Sequence, residues 1–454
     1  MRISTILVLL AVACHAEDWN RFRGPNGSGV AAGKGFPTRL SKTENMVWRS
    51  AVRPGKSSPV LSANHVFVTG FESGKLYTQC FHRTTGKLLW ERYVERPQEE
   101  QVNALNHAAA ISPVTDGENV YSFFKEFGLV SYDAAGKQRW KVALGPFTNV
   151  MGLAASPILT RDAVVVAVDQ IDNSFLAAFD LRNGEMRWKV ARDEMDAWGT
   201  PLAYTPAGGE PQVLTASRGQ FGVHSASNGK RLLTAHDIPT TIVGSPVLVD
   251  DTVYMFGYGS DMPAPFAARL EKLDKNKDGQ LTADEYGNDA FLRGIAKYTG
   301  NRDGIITQEK WDAKQRDVMG PNGMMALRLE KGKAPRQLWR YDKSFTAVIP
   351  TLLVYKTVLY VMKNGGILTS FDAGTGAVLK SGRLDAGGGY SSSPVAADGK
   401  LYIASEDGVL TVLQAGGDWR ILSTIDFGEP CFATPALSNG SVYVRTGAAL
   451  YRFE

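Results

Sequence analysis

Cysteine is scarce in this chain, with 3 residues among 454. Cys14 lies in the N-terminal segment, which leaves only Cys80 and Cys431 for the rest of the chain. Two cysteines cannot build a disulfide framework, and the sequence has no CxxC spacing, which argues against a thiolate zinc site and against attached c-type haem. A disulfide between the two remains possible, but two separate buried thiols are the expected arrangement.

A strong charge bias is also missing. The formal net charge is +4 and no long basic run occurs, so the sequence argues against nucleic-acid binding, which needs a clustered basic surface. The apolar stretch at residues 3–13 is too short for a membrane span of roughly 20 residues. Because it follows Arg2, residues 1–16 are predicted to be a signal peptide. The stretch also resembles a lipobox, and a membrane attachment is expected only if Cys14 is lipidated.

Glycine is abundant at 47 residues, as expected for a chain with many tight turns, and self-comparison reveals a repeat. A short element of the Ser-Pro-Val type recurs with a base period near 44 residues, which is typical of propeller blades or helical arrays. The eight elements begin at Ser58, Ser112, Ser156, Thr200, Ser245, Ile349, Ser393 and Thr434.

The residues that follow each element favour a propeller. Alternating β-branched and aromatic stretches, such as those around Val66 and Val120, are followed by a glycine turn and then by a strand ending in tryptophan. This pattern predicts strands joined by hairpins, and four strands per repeat make one propeller blade. The last repeat lacks a fourth strand, and residues 45–48 are predicted to supply it and close the ring. Seven blades remain possible, because the fourth repeat has Leu233 where tryptophan would stand.

The element order resembles the PQQ-like, quinoprotein-type β-propeller family, which includes quinoprotein alcohol dehydrogenases and the assembly lipoprotein BamB. The resemblance covers residues 19–265 and 320–454, and residues 19–29 look like the N-terminal segment of exported members. In quinoprotein dehydrogenases of this family, PQQ is held in the central channel beside a calcium ion, between a tryptophan and a disulfide of adjacent cysteines. No adjacent cysteines occur here, so bound PQQ is not expected.

A separate motif lies in the 104-residue interval between two of the repeat prolines, Pro246 and Pro350. Residues 274–285 match the twelve-residue EF-hand loop, in which oxygen atoms at positions 1, 3, 5, 7, 9 and 12 bind Ca²⁺ around a glycine at position 6. We expect helices at 266–273 and 283–291. The predicted ligands are Asp274, Asn276, Asp278, the main-chain carbonyl of Gln280, Thr282 and Glu285.

A second loop at residues 299–310 matches the pattern less well. Thr299 replaces the first aspartate and Lys310 replaces the final glutamate, so a positive charge stands where the cation needs two oxygens. This loop is expected to act as a structural partner that binds calcium weakly or not at all. Trp311 and Tyr298 are predicted to pack the paired helices.

Residues for catalysis are harder to find, and no catalytic residue is predicted. Four side chains precede innermost strands and form a candidate ligand-binding rim at the channel mouth: His107, Asn149, Trp198 and Tyr390. The simpler explanation, that they only fill the loops at the mouth, carries more weight.

Taken together, the sequence predicts an all-β, eight-bladed propeller of PQQ-like repeats with a small α-helical EF-hand insertion. The expected divisions are a signal peptide at 1–16, propeller at 17–265 and 320–454, and the insertion at 266–319. The expected function is an exported, calcium-binding module, periplasmic or secreted, that binds a protein partner or extracellular ligand without catalysis. The alternative is a PQQ-dependent alcohol or sugar dehydrogenase.

Overall fold

The structure is a computed structural model that describes residues 19–97, 106–149, 151–171, 173–192, 194, 196–258, 265–289, 292–293, 295–296, 301, 303–318, 322–343 and 348–454. The predicted signal peptide and Tyr298 lie outside these residues. Within them the chain forms eight four-stranded antiparallel sheets, so the prediction of an eight-bladed propeller is confirmed. No helix in this part of the chain is long and apolar enough to span a membrane.

Each of the first four blades is a meander of four consecutive strands. Blade 1 comprises β2 to β5, at Val60–Leu61, His65–Glu72, Lys75–His82 and Leu88–Glu95, which follow the first strand, β1 at Met46–Ala51. Blade 2 comprises β6 to β9, at Val114–Thr115, Asn119–Phe124, Gly128–Asp133 and Gln138–Ala143. Blade 3 comprises β10 to β13, at Ile158–Leu159, Ala163–Val168, Phe175–Asp180 and Met186–Ala191. Blade 4 comprises β14 to β17, at Leu202–Tyr204, Gln212–Ser217, Gln220–Ser225 and Arg231–Ala235.

The remaining blades follow the same plan. Blade 5 comprises β18 to β21, at Val247–Val249, Thr252–Gly257, Gly323–Glu330 and Lys333–Tyr341. Blade 6 comprises β22 to β25, at Leu353–Tyr355, Val358–Lys363, Ile367–Asp372 and Val378–Arg383. Blade 7 comprises β26 to β29, at Val395–Ala397, Lys400–Ala404, Val409–Gln414 and Arg420–Asp426. Blade 8 comprises β30 to β32, at Ala436–Ser438, Ser441–Arg445 and Ala449–Phe453, together with β1 at Met46–Ala51.

The N-terminal strand closes the ring as the sequence predicts. β1 pairs antiparallel with β32, with Arg49 opposite Tyr451 and Ala51 opposite Ala449. The first and last parts of the chain therefore share one sheet, and the outer edge of blade 8 is formed as in every other blade. This arrangement leaves no blade short of a strand.

The burial of each strand follows its place in a blade. The second strand of blade 3, Ala163–Val168, is buried along its whole length because neighbouring blades cover both of its faces. The outer strand of the same blade, Met186–Ala191, alternates between exposed and half-buried residues because one side faces solvent. Continuous apolar runs therefore identify inner strands and alternating runs identify outer strands.

The tryptophans of the outer strands join neighbouring blades. Trp90 of blade 1 donates its indole N–H to the carbonyl of Ala134 in blade 2 at 2.9 Å. The turn glycine of blade 2, Gly136, has φ +80° and lies against the indole, so that a Cβ there would stand 2.6 Å from Trp90 Cγ. The same pairing recurs at four other seams, namely Trp48 with Gly86, Trp140 with Gly184, Trp188 with Gly229 and Trp339 with Gly376. These five tryptophans are therefore seam residues between neighbouring blades.

A closed ring of hydrogen bonds surrounds the central channel. The hydroxyl oxygen of each repeat's Ser or Thr accepts the main-chain N–H of the corresponding residue in the preceding blade, at 2.9 to 3.2 Å. The ring runs through Ser58, Ser112, Ser156, Thr200, Ser245, Thr351, Ser393 and Thr434 and returns to Ser58. The recurring hydroxyl therefore fixes each innermost strand to its neighbour.

One repeat element was predicted in the wrong register. In blade 6 the ring residue is Thr351, followed by Leu352 and then β22, so the element is Thr351-Leu352-Leu353 and not Ile349-Pro350-Thr351. Pro350 precedes the ring residue here, whereas a proline follows it in the other blades. The proline is thus dispensable in the element, while the hydroxyl is present in all eight blades because it makes the inter-blade bond.

The insertion lies between β19 and β20 of blade 5. Its described helices include α1 at Phe266–Leu273, α2 at Ala283–Tyr286 and α3 at Gln308–Val318. The predicted first helix agrees with α1, but α2 ends at Tyr286 and not at residue 291, because Gly287 takes a left-handed conformation with φ +53°. The lobe has its own core, in which Phe266 stacks on the buried Trp311 with ring centroids 5.3 Å apart.

Candidate functional site

The central channel holds a cavity of about 300 Å³. The eight ring hydroxyl residues form one level of its lining. The next level is formed by the residues two positions before each ring residue: Lys56, Ala110, Ala154, Trp198, Val243, Ile349, Ser391 and Phe432. Most of this second level is apolar. The cavity therefore has a hydroxyl-rich base and an apolar wall, a combination typical of ligand pockets.

The N-terminal segment crosses the channel on the other side of the hydroxyl ring. Arg21 donates to the carbonyl of Pro201 at 2.7 Å, and Arg23 donates to the carbonyl of Leu352 at 2.9 Å. These acceptors lie one residue after the ring residues, on the side away from the apolar wall. Phe22, between the two arginines, lines the cavity. The segment thus spans one end of the channel, and the cavity faces the opposite end.

The two arginines of this segment are buried among main-chain carbonyls. Burial lowers the pKa of Arg21 to about 9 and the pKa of Arg23 to about 9. Both remain charged at neutral pH, and charged hydrogen bonds to carbonyls hold the segment in place. The sequence resemblance pointed to this segment, and the structure shows that its arginines attach it to main-chain carbonyls of the blades.

Trp198 is the one residue of the predicted rim that lines the cavity. Its indole N–H donates to Asn149 Oδ1 at 3.1 Å and to the carbonyl of Gly152 at 3.2 Å. Asn149 is buried and donates to the carbonyl of Asp169 at 2.9 Å. Asn149 is therefore a positioning residue for Trp198 and does not line the cavity itself.

The other two rim predictions are corrected. Tyr390 is fully buried and its hydroxyl donates to the carbonyl of Ala386 at 2.8 Å, so it is a core residue. His107 is half-buried and its Nδ1 accepts the main-chain N–H of Ala109 at 3.1 Å. Burial, followed by the charges of Arg445, Lys56 and Lys125, lowers the pKa of His107 to about 4. A neutral ring that already stabilises its own turn is a structural acceptor, and His107 does not line the cavity.

Sequence reasoning missed several lining residues. Asn106, next to His107, lines the cavity and donates to the carbonyls of Met151 and Gly152 at 2.8 and 2.9 Å. Lys56 lies with its Nζ 4.0 Å from the centroid of the Phe432 ring, and burial lowers its pKa. The signal that could have found Lys56 and Phe432 is their common position, two residues before the hydroxyl of each repeat.

The lining differs from the quinone site that the sequence resemblance implies. The described residues that surround the cavity include no Asp or Glu, so they offer no carboxylate to a calcium ion beside such a group. The two cysteines are free and buried, and burial raises the pKa of each thiol to about 12. Thiols with such pKa values stay protonated and are inert at neutral pH.

The predicted metal loop begins at the end of α1 and runs into α2. Asp274 accepts the main-chain N–H groups of Lys277 and Gly279 at 2.7 and 2.9 Å, and Asn276 Oδ1 accepts that of Asp278 at 3.0 Å. Gly279 has φ +77° with open space where a side chain would stand. These contacts fold residues 274–279 into a tight turn of the kind that an EF-hand loop needs at its glycine.

The far end of this loop is closed by Glu285. Its Oε1 accepts the main-chain N–H of Lys275 at 2.9 Å, and its Oε2 accepts both the N–H and the hydroxyl of Thr282 at 2.9 Å. Asp278 Oδ1 accepts the N–H of Gln280 at 2.9 Å. The six predicted ligands thus belong to one compact loop. Among the described residues, no group of three His, Cys, Asp or Glu side chains is arranged to hold a metal ion.

The two loops of the insertion are joined at their centres. Leu281 and Ile306 exchange main-chain hydrogen bonds of 3.0 and 2.9 Å, and both side chains are fully buried. Each stands at position 8 of its twelve-residue segment, the position at which paired loops meet. Leu281 and Ile306 therefore connect the two loops directly.

Fold and channel together define a class of protein: an eight-bladed propeller of PQQ-type repeats with its N-terminal segment across one end of the channel. The family model described as outer membrane protein assembly factor BamB matches residues 38–277 and 318–454, and the chain belongs to that family. The unmatched residues 278–317 lie within the predicted insertion. No curated protein sequence matches the chain.

Solved structures with low sequence identity share the fold. BamB from Moraxella catarrhalis is 14% identical with a TM-score of 0.55, and the match covers 90% of this chain and 99% of that chain. The computationally designed Ika8 protein is 12% identical with a TM-score of 0.57, covering 90% of this chain and 100% of that one. A europium-containing methanol dehydrogenase is 11% identical with a TM-score of 0.61, covering 96% and 98%.

Proposed function

We propose that this propeller is a non-catalytic binding module of the cell envelope, and that the open end of its channel receives an apolar or aromatic group of a ligand or partner protein. The observation that carries the proposal is the cavity of about 300 Å³, with its apolar wall and hydroxyl base. Trp198 and Phe432 supply flat apolar faces, which bind aromatic groups well. Membership of the BamB family supports a protein partner.

Filling the cavity tests this proposal. The neutral dye N-phenyl-1-naphthylamine gains fluorescence in apolar pockets, so the wild type is expected to enhance it with saturable binding. Ala154→Trp, which places an indole on the cavity wall, is expected to abolish that binding. Leu232→Trp, on the outer strand of blade 4 where the side chain is exposed, is the matched control. Unchanged dye binding by Ala154→Trp would show that the cavity is not the binding site.

We also propose that residues 274–285 bind Ca²⁺, with Asp274, Asn276, Asp278, Gln280, Thr282 and Glu285 as ligands. Two features support this: the tight turn at Gly279 and the bridge between Leu281 and Ile306. On calcium binding, Glu285 would turn from the N–H groups that it now accepts to the metal.

Calcium titration of the full chain tests this second proposal. Calcium is expected to raise the melting temperature of the wild type, because a ligand that binds only the folded state stabilises it. Glu285→Gln is expected to remove most of that rise. Glu309→Gln, an exposed residue of α3, is the control and should respond as the wild type does. Absence of any rise in the wild type would refute the calcium site.

The alternative function is that of a PQQ-dependent dehydrogenase. The fold similarity to a methanol dehydrogenase and the position of Trp198 on the channel wall favour it, whereas the missing carboxylates argue against it. A stoichiometric complex at micromolar PQQ would support this alternative, and absence of binding would exclude it. Export to the periplasm or beyond is part of the proposal and rests on residues 1–16, outside the described residues.

A further inference from the structure

The second loop of the insertion contains a cation of its own. Lys310 Nζ donates to Asp303 Oδ1 at 2.6 Å and to the main-chain carbonyl of Ile305 at 2.7 Å. The lysine is buried, with 8% of its side chain exposed, although lysine is seldom buried unless it is paired. The Lys310 side chain therefore extends from α3 back to the preceding loop, where its ammonium group lies.

The two oxygen atoms that accept hydrogen bonds from Lys310 are atoms that would coordinate a metal ion in an EF-hand loop. Counted from residue 299, Asp303 is at position 5 and Ile305 at position 7, where an EF-hand loop offers a carboxylate and a main-chain carbonyl to calcium. Asn301, at position 3, donates from its amide to the other oxygen of Asp303 at 2.9 Å. Lys310 itself is at position 12. Thus the residue that replaces the bidentate glutamate puts an ammonium group beside two of the metal's own ligands.

We propose that the Lys310 ammonium replaces the metal ion in the second loop, so that residues 303–310 are ordered without calcium and hold the first loop ready for it. The connection runs through the reciprocal main-chain hydrogen bonds between Leu281 and Ile306. Ile305 adds to it, because its N–H donates to Asp303 Oδ1 at 2.8 Å, the same oxygen that accepts from Lys310. The ammonium, Asp303 and the bridge form one continuous chain of contacts between the two loops.

The charge state of Asp303 agrees with this arrangement. The hydrogen bond from Lys310, followed by that from the Ile305 N–H, lowers the pKa of Asp303 to about 2. The carboxylate is therefore ionised throughout the range in which the protein would work, and the ion pair persists at neutral pH.

The inference predicts two separate effects of removing the ammonium, one of which needs no metal. In EDTA, the amides of Ile305 and Ile306 are expected to be protected from hydrogen exchange in the wild type and to lose that protection in Lys310→Met. Lys310→Arg keeps a cation and is expected to retain part of the protection. Lys314→Met, one turn further along α3, is the control for loss of a lysine from this helix.

The second effect concerns calcium and rests on the proposed function of the first loop. Because coupling of 1 to 3 kcal/mol between linked sites is common, Lys310→Met is expected to weaken calcium binding at residues 274–285 by about five-fold or more. The wild type is expected to bind one calcium ion per chain. Introducing Lys310→Glu together with Thr299→Asp, which restores the ligand types of positions 12 and 1, is expected to raise the number to two.

The outcomes separate the two proposals. If the wild type binds no calcium but Lys310→Met loses exchange protection in EDTA, the proposed function fails and the role of Lys310 stands. If Lys310→Met keeps the protection of the wild type in EDTA, the ammonium does not order the loop and the inference is wrong, whether or not calcium binds at the first loop.

Discussion

At the scale of single residues, the glycine beside each seam tryptophan has two separate reasons to be glycine. The turn requires positive φ, and the indole of the neighbouring blade occupies the space of a side chain. Gly74 and Gly136 separate these reasons, because both have positive φ, of +76° and +80°, but only Gly136 has an indole within 4 Å.

We therefore predict different costs for alanine at the two positions. Gly74→Ala is expected to lower the free energy of unfolding by about 1 to 2 kcal/mol, the usual cost of a left-handed residue with a Cβ. Gly136→Ala is expected to cost a further ~1 to 3 kcal/mol, because the indole must move. Urea unfolding of both variants measures the difference. Equal losses in the free energy of unfolding would mean that the tryptophan side chain moves aside without an energetic penalty.

A buried histidine gives a prediction about pH. His224 is fully buried in blade 4, with Nε2 3.3 Å from the Thr215 hydroxyl and Nδ1 3.2 Å from the carbonyl of Gly229. Burial, together with the nearby charge of Arg192, lowers its pKa to about 4. Because the unfolded chain takes up a proton near pH 6.5 and the folded protein does not, stability is expected to fall as the pH drops from about 6.5 to about 4.

Chemical denaturation at pH 7 and pH 4.5 measures this effect. His224→Gln keeps hydrogen-bonding groups at the site but cannot titrate, so its loss of stability between the two pH values should be smaller than that of the wild type. His82→Gln, at the half-buried end of β4, where Nδ1 forms an exposed hydrogen bond with the Thr85 hydroxyl, is the control for loss of a histidine. Equal losses in His224→Gln and the wild type would contradict the assignment.

At the scale of elements, the ring of hydroxyls explains why the repeat is recognisable in the sequence. Each Ser or Thr accepts a main-chain N–H that would otherwise be buried without a partner. We predict that Ser393→Ala, which deprives the Thr351 N–H of its acceptor at 3.0 Å, lowers the free energy of unfolding by about 1 to 3 kcal/mol. Ser393→Thr should be nearly neutral, since three of the eight blades carry Thr here, and a large loss in that variant would show that the hydroxyl alone is not enough.

The same repeat element shows which features of the fold could be predicted from the sequence. Hydroxyl, inner strand, turn glycine and tryptophan recur at fixed distances, so blade number and closing strand could be predicted. The repeat element of blade 6 was predicted in the wrong register because it was aligned on its proline. The hydrogen bonds between blades depend instead on the hydroxyl of Thr351. Apart from Trp198, the residues of the cavity wall were missed because they share a position in the repeat and not a side-chain chemistry, as Lys56, Ala154 and Phe432 show.

In the helical lobe, the loop pattern is visible in the sequence, whereas one important side-chain contact is not. The sequence predicts calcium ligands residue by residue, because each position of the loop has a stated oxygen or conformation to supply, and calcium binding there stays a prediction. What the sequence could not show is where the Lys310 side chain points. A lysine at position 12 is compatible with a solvent-facing side chain, and only the fold brings its ammonium to Asp303 and the carbonyl of Ile305.

At the scale of the whole molecule, the ring is a closed chain of blades with one special seam. Seven blades are built from four consecutive strands, whereas blade 8 combines β1 with β30 to β32 from the C-terminal end. Trp48 on β1 reaches across the seam to blade 1, where its indole N–H donates to the carbonyl of Arg83 at 3.0 Å. Trp188 makes the equivalent bond of 3.1 Å to Ala226 at an internal seam between blades 3 and 4.

These two tryptophans test where the ring opens. Trp→Ala at a packed site costs about 3 to 5 kcal/mol, so both variants are expected to lose similar amounts of stability. Hydrogen exchange should distinguish them. In Trp48→Ala the amides of β1 and β32 should lose protection while blade 4 keeps it, because β1, unlike the other outer strands, is not joined to its blade by a chain connection to the strand it pairs with. In Trp188→Ala the loss should be spread over blades 3 and 4. If Trp48→Ala leaves β1 and β32 protected, the N-terminal strand is held mainly by its main-chain pairing with β32, and the seam tryptophan contributes packing without controlling closure.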